Sequence, residues 1–184
     1  MTQCIICGVD HDRLRDGVDP AMYCERCAEI RKDATGTVQR IMGTIYLGDA
    51  VAAETFDGYK LCVHEDLWAG YTPTYHVPIL VRSPPTALDR DAEASTAALE
   101  YCAGLIEGHL DSAKRLLVHC HGGVERSPLT VAYWLVRVGR YQALAEAYRY
   151  LKGLRPVIAD RTSWLTELPR PYLADGTAPA ADAR

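Results

Sequence analysis

Val118-His119-Cys120-His121-Gly122-Gly123-Val124-Glu125-Arg126-Ser127-Pro128 is the stretch on which the reading of this chain turns. It continues Leu116-Leu117-Val118-His119, an apolar run of the kind shown by a strand buried on both faces of a sheet. It leads into Ser127-Pro128, which suits a helix start because proline in the first turn forfeits no needed N–H. The five residues between Cys120 and Arg126 can curl so that their N–H groups converge, and Gly122-Gly123 admit the dihedrals this requires. The positive end of the following helix adds to the field. The backbone of His121, Gly122, Gly123, Val124, Glu125 and Arg126 is therefore predicted to bind a phosphate dianion.

Within that nest Cys120 is the expected nucleophile, because N–H donors and a guanidinium stabilise a thiolate over a thiol and the thiolate is the reactive form. Arg126 supplies a planar fork that matches two phosphoryl oxygens, which a lysine would not. Together they describe phosphoryl transfer to sulfur, a covalent route that divides hydrolysis into two steps. His121 has no further role assigned beyond the rim of the loop.

Outward from the loop, Ile41 to Gly48 reads as a first strand closed by a glycine turn. Leu61–His64 and Tyr75–Ile79 read as further short strands. Ser83-Pro84-Pro85 breaks the chain, and an alanine- and leucine-rich helix is expected from Ala92 to His109. Helices from Ser127 to about Gly139 and from Gln142 to Leu154 complete the pattern. Strands alternating with helices predict an α/β domain with a central, mostly parallel sheet flanked by helices.

The residues of the loop are those of the His-Cys-x5-Arg-Ser signature, and from about Arg40 to Leu168 the chain resembles the dual-specificity phosphatases of the protein tyrosine phosphatase superfamily. Ile41 through Asp49 resembles the family's opening strand and turn; Arg155-Pro156-Val157-Ile158 with Trp164-Leu165 resembles its closing helix region. The resemblance implies that His119 orients the loop and tunes the thiolate, and that Ser127 donates a hydrogen bond that eases departure of sulfur. It also implies an aspartate general acid, usually about thirty residues before the cysteine. The family's usual position for it holds Val81, so Asp89 is the expected acid and Asp91 the second choice; either could instead cap the helix beginning near Ala92. Gly122 stands where the family more often has alanine. Cys62 and Cys102 read as inert buried thiols.

Cys4, Cys7, Cys24 and Cys27 form Cys-x2-Cys-x16-Cys-x2-Cys, the spacing of a structural four-thiolate zinc site. Four thiolates close the tetrahedron, so the metal is expected to be structural, with no cofactor needed for catalysis. The expected organisation is a zinc ribbon over residues 1–31, a linker over 32–39, a catalytic domain over 40–172 and a disordered tail over 173–184, where Ala, Asp, Gly and Pro offer little to bury. A redox dithiol or a pair of disulfides is the competing reading of the four cysteines.

The bulk composition bounds the partners. In 184 residues, 20 Lys and Arg stand against 24 Asp and Glu, a formal net charge of -4, so no whole-molecule field draws the chain to nucleic acid or an anionic membrane. Residues 1–40 hold six Lys and Arg against seven Asp and Glu, without the basic surplus a nucleic-acid module needs. Docking of a protein partner is the better role for the ribbon. No apolar run reaches membrane-spanning length, and an odd cysteine count with close pairs fits a reducing compartment, so a cytoplasmic protein is expected. The predicted activity is hydrolysis of phosphotyrosine and phosphoserine or phosphothreonine in proteins. An RNA 5′-end phosphatase and a phosphate-binding module without turnover are the alternatives. Lysine is absent from the loop and Glu125 is acidic, which argues against inositol lipids.

Overall fold

The computed structural model describes residues 2–3, 10–11, 36–67, 71–82, 92–110 and 112–171. Cys4, Cys7, Cys24 and Cys27, like Asp89, Asp91 and the predicted tail, lie outside the described residues. Strands β1 (Thr2–Gln3) and β2 (Asp10–His11) pair antiparallel.

The main sheet has five strands in the order β3-β4-β9-β5-β6. They are β3 (Gln39–Met42), β4 (Ile45–Gly48), β5 (Tyr59–Cys62), β6 (Tyr75–His76) and β9 (Leu116–His119). β4, β9, β5 and β6 run parallel, and β3 alone is antiparallel to its neighbour, so the sheet is mixed. The apolar run Leu116–His119 is the central strand, buried along its whole length between β4 and β5, as its composition predicted.

The expected single strand from Ile41 to Gly48 is instead a hairpin. Gly43 adopts φ 52°, a left-handed conformation that folds the chain between β3 and β4. The strand expected over Tyr75–Ile79 ends at His76. Val77 N–H still reaches the Cys62 carbonyl at 2.9 Å, but Pro78 has no N–H to continue the ladder.

Helix α1 (Ala50–Thr55) follows β4 directly, capped by the Asp49 carboxylate, which accepts from Ala52 N–H at 2.8 Å. β7 (Leu80–Arg82) and β8 (Glu93–Ala94) form a separate two-stranded ribbon. The residues from Ala92 to Ser95 therefore belong to that ribbon and its exit, and helix α2 runs over Thr96–Leu110, later than expected, with Ser95 Oγ accepting from Ala98 N–H.

Helix α3 (Arg126–Arg137) is buried over its whole circumference from Ser127 onward and packs against α2, β4, β9 and α4 (Leu144–Leu154). Pro128 sits in its first turn, where a missing N–H costs nothing. Gly139, φ 70°, closes it, donating to Val136 O. Among the described residues no helix is long and apolar enough to cross a membrane.

Candidate active site

β9 and α3 are joined by residues 120–125, the segment the sequence marks as a phosphate nest. Its carbonyls are taken by the scaffold around it. His119 O accepts from Val63 N–H at 2.9 Å, His121 O from Ala50 N–H at 2.9 Å and Val124 O from Ala159 N–H at 2.9 Å. Gly122 O accepts from Arg155 Nη2 at 3.3 Å, and Glu125 O starts the helix through Leu129 N–H at 3.0 Å. The N–H and C=O of a trans peptide point in opposite directions. Tethering the carbonyls outward thus directs the N–H groups to the concave side, where an anion would sit.

Gly123 shows why glycine is required. Its φ is 66°, and a Cβ there would lie 2.6 Å from the Gly48 carbonyl oxygen. The loop can reach the end of β4 only without a side chain. Arg155 reinforces that junction, being buried with Nη2 3.3 Å from Asp49 Oδ2 and Nη1 2.7 Å from Thr37 Oγ1.

Cys120 sits at the end of the central strand, only 3% exposed. Ser127 Oγ–H points at its sulfur across 3.2 Å. That contact follows from Ser127 lying in the first turn of α3, directly beyond the loop that begins at Cys120.

His119 is buried, with Nδ1 3.1 Å from the Cys120 carbonyl and Nε2 hydrogen-bonded to the Tyr71 hydroxyl. Burial pulls its pKa down to about 4; its bond to Cys120 opposes the shift, while Lys60 and His76 assist it. The neutral ring donates from Nδ1 to the Cys120 carbonyl and accepts from Tyr71 at Nε2, so it holds the backbone beside the nucleophile. Burial likewise raises the Tyr71 hydroxyl, keeping it a donor.

Arg126 is flanked by two carboxylates. Glu65 Oε1 and Oε2 lie 3.2 and 3.0 Å from its Nε, and Glu125 Oε2 lies 3.9 Å from its Nη1. Arg161 takes hold of Glu125, with Nε 2.9 Å from Oε1 and Nη2 on the same oxygen. Both guanidinium groups lie by the Trp164 ring, at 5.9 and 5.3 Å. Glu125 is thus held mainly by Arg161, its contact with Arg126 being the longer one, to a single terminal nitrogen. His121 is buried, its ring 5.8 Å from that of His64.

The two other described cysteines are protonated bystanders. Burial pushes the Cys62 thiol up to about 11 and that of Cys102 up to about 12. Cys62 is nevertheless near the site, since it pairs in register with His119 across β5 and β9.

The position where an acid was expected and absent, Val81, lies on β7 and is 62% exposed; its isopropyl group has no proton to give. Glu65, Tyr71, Asp49, Arg155 and Arg161 are the site residues that motif reading missed as functional. Asp49 and Arg155 had a signal, being part of the segments that resemble the family. Glu65 and Tyr71 reach the site only because β5 lies beside β9.

Comparison with known proteins places this geometry. Residues 76–170 match the family model described as dual specificity phosphatase, catalytic domain. Mouse dual specificity protein phosphatase 1 is 26% identical over 148 residues, covering 79% of this chain and 40% of that protein. Among solved structures, a leucine-rich-repeat and phosphatase-domain protein from Entamoeba histolytica superposes with a TM-score of 0.55 at 17% identity, over 71% of this chain and 86% of that one. The PTP-2 phosphatase of Cydia pomonella superposes with a TM-score of 0.54 at 21% identity, over 71% and 86% of the two chains. The chain spans less than half the length of the mouse relative.

Proposed function

The chain belongs to the dual-specificity phosphatase catalytic-domain family, and we propose that it hydrolyses phosphomonoesters on proteins, at tyrosine and at serine or threonine, through a cysteinyl-phosphate. The observation that carries this is Cys120 at the floor of a carbonyl-tethered loop with Ser127 Oγ–H 3.2 Å from its sulfur.

In the first step the Cys120 thiolate attacks phosphorus and the P–O bond to the substrate breaks, with the departing oxygen taking a proton. The loop N–H groups and the Nη fork of Arg126 hold the equatorial oxygens as charge redistributes. In the second step water attacks phosphorus as its proton passes to the carboxylate that gave one up in the first step, the S–P bond breaks, and Ser127 stabilises the returning thiolate by donating to Sγ. His119, neutral and clamped between Tyr71 and Cys120 O, keeps the loop in place throughout.

Asp89 is proposed as the proton donor of the first step, with Asp91 second; what supports this is their spacing before Cys120 and the apolar side chain at Val81. Zinc is proposed at Cys4, Cys7, Cys24 and Cys27 on their spacing alone, as a structural ion outside the reaction; metal stoichiometry of the protein and of Cys4→Ser tests it. A phosphoprotein substrate and a cytoplasmic setting are likewise proposals, and the ribbon is proposed to dock a protein partner.

The activity test is hydrolysis of an aryl phosphate by the protein and by Cys120→Ser. Turnover lost in the variant supports the reading. Equal rates, or no turnover by either, would remove it.

A further inference from the structure

Glu125 stands one residue before Arg126, inside the loop that would hold the phosphate, and its charge has the wrong sign for that place. It occupies the N-cap position of α3, yet its carboxylate makes no cap hydrogen bond. Instead Arg161 Nε reaches Oε1 at 2.9 Å, and Arg161 Nη2 meets the same oxygen. The other oxygen lies 3.9 Å from Arg126 Nη1. With Glu65 on the Nε of Arg126, two carboxylates flank the one arginine of the loop. Arg161 is the second cation that balances them.

The segment carrying Arg161 is also fixed by bonds other than that ion pair. Ala159 N–H donates to Val124 O at 2.9 Å, next to Glu125 in the loop, and Arg161 N–H donates to the Tyr148 hydroxyl oxygen at 3.1 Å. Asp160 Oδ1 accepts from Thr162 N–H at 2.9 Å and from the Thr162 hydroxyl at 2.7 Å, in the turn that leads to the buried Trp164. The Trp164 ring lies 5.3 Å from the Arg161 guanidinium. The side chain of Glu125 is 14% exposed and that of Arg161 28%, so water screens the pair only in part.

We propose that Arg161 is a positioning residue for the phosphate loop: it holds the Glu125 carboxylate aside and cancels its charge, so that a dianion can enter beside Arg126. The inference rests on the phosphatase reading above and deepens it. With Arg161 removed, Glu125 would meet an incoming phosphoryl group as an uncompensated carboxylate and would be drawn to Arg126 Nη1, already 3.9 Å away. In a site this little exposed, like charges repel more strongly than they do in water.

The test measures binding of tungstate, a tetrahedral dianion, to Cys120→Ser protein by calorimetry, alongside aryl phosphate kinetics in the Cys120 background. Adding Arg161→Ala is expected to weaken tungstate about tenfold and to raise KM more than it lowers kcat. Adding Glu125→Gln to Arg161→Ala is expected to bring the affinity back to within about threefold, because the charge that Arg161 cancels is then gone. Lost packing would not be reversed in this way. A double variant as weak as Arg161→Ala therefore overturns the proposal, as does an affinity that Arg161→Ala leaves unchanged, and either result leaves the phosphatase reading intact. If Arg161→Ala does not fold, Glu125→Gln alone decides: it keeps Arg161 and removes one negative charge, so tungstate should bind about threefold tighter at low salt, and unchanged or weaker binding overturns the proposal. Failure of the Cys120→Ser protein to bind tungstate overturns both.

Discussion

The two sides of the candidate site are built in different ways. The nucleophile side is the junction of a fully buried strand with a fully buried helix. Every residue from His119 to Arg126 is fixed by what flanks it: Val63, Ala50, Arg155 and Ala159 hold carbonyls, and Gly48 leaves no room for a side chain at Gly123. The side proposed to carry the acid leaves the sheet through Pro78 and enters a two-stranded ribbon on which Val81 is exposed. A side chain in the first setting is placed by register and packing. A side chain in the second stands on or beside a short ribbon outside the main sheet, where insertions and exchanges are tolerated better than in a central strand. One side of the chemistry is therefore legible to the residue, and the other only to the segment.

The largest expected effect lies on the rigid side. Arg126→Lys keeps the charge but loses the planar fork and the Nε–H that meets Glu65, so kcat/KM should fall on the order of 10^3-fold. Steady-state kinetics with an aryl phosphate measure it. A loss below about tenfold would mean that charge alone suffices there.

Gly123→Ala attacks the same region through the backbone. A residue at φ 66° with a Cβ 2.6 Å from Gly48 O must move one chain segment or the other. A stability loss of about 3 kcal/mol in urea unfolding is expected, with activity lost at temperatures where the variant remains folded. A variant as stable and active as the parent would show that the loop is not seated against β4 as described.

On the acid side, Asp89→Asn should lower kcat about 10^2-fold and remove the alkaline limb of the pH–rate profile, while Asp91→Asn leaves both in place. The reverse pattern would move the role to Asp91. If neither variant changes the profile, both sides of the comparison must be redrawn, because the proton then comes from elsewhere.

The smallest expected effect per residue is on stability with pH. His119 and His64 are held near 4 and 3 against an ordinary value of 6.5, mainly by burial, so the unfolded chain binds protons that the folded one refuses. Their contribution is complete above about pH 6.5 and is lost as pH falls toward the folded values. Between pH 7 and pH 5 each should cost about 2 kcal/mol of unfolding free energy. Urea melts across that range check it, and His119→Gln should flatten part of the slope.

Much of this was visible in the chain itself. Leu116-Leu117-Val118-His119 is uniformly apolar up to its histidine and is the central strand with the same boundaries. Pro128 and Gly139 mark the two ends of α3 by their backbone chemistry. The hairpin at Gly43 was missed because only Gly43-Thr44 separates the apolar residues Ile41-Met42 from Ile45-Tyr46-Leu47, and the positive φ of Gly43 that divides them has no unique mark in the sequence. Helix α1 was missed because six residues give too short a period to read. Glu65 and Tyr71 escape local reading for another reason. Their roles arise from the parallel pairing of β5 with β9, in which Cys62 stands opposite His119, a relation between residues 57 positions apart that no nearby motif records.

The central claim is that Cys120 carries the phosphoryl group. Ser127→Ala should slow the release of sulfur, so rapid acid quenching of that variant with an aryl phosphate, followed by peptide mass analysis, tests it directly. The expected result is a Cys120-containing peptide heavier by one phosphoryl group during the burst and absent when Cys120→Ser is added. Turnover with Cys120 unmodified throughout would contradict the account.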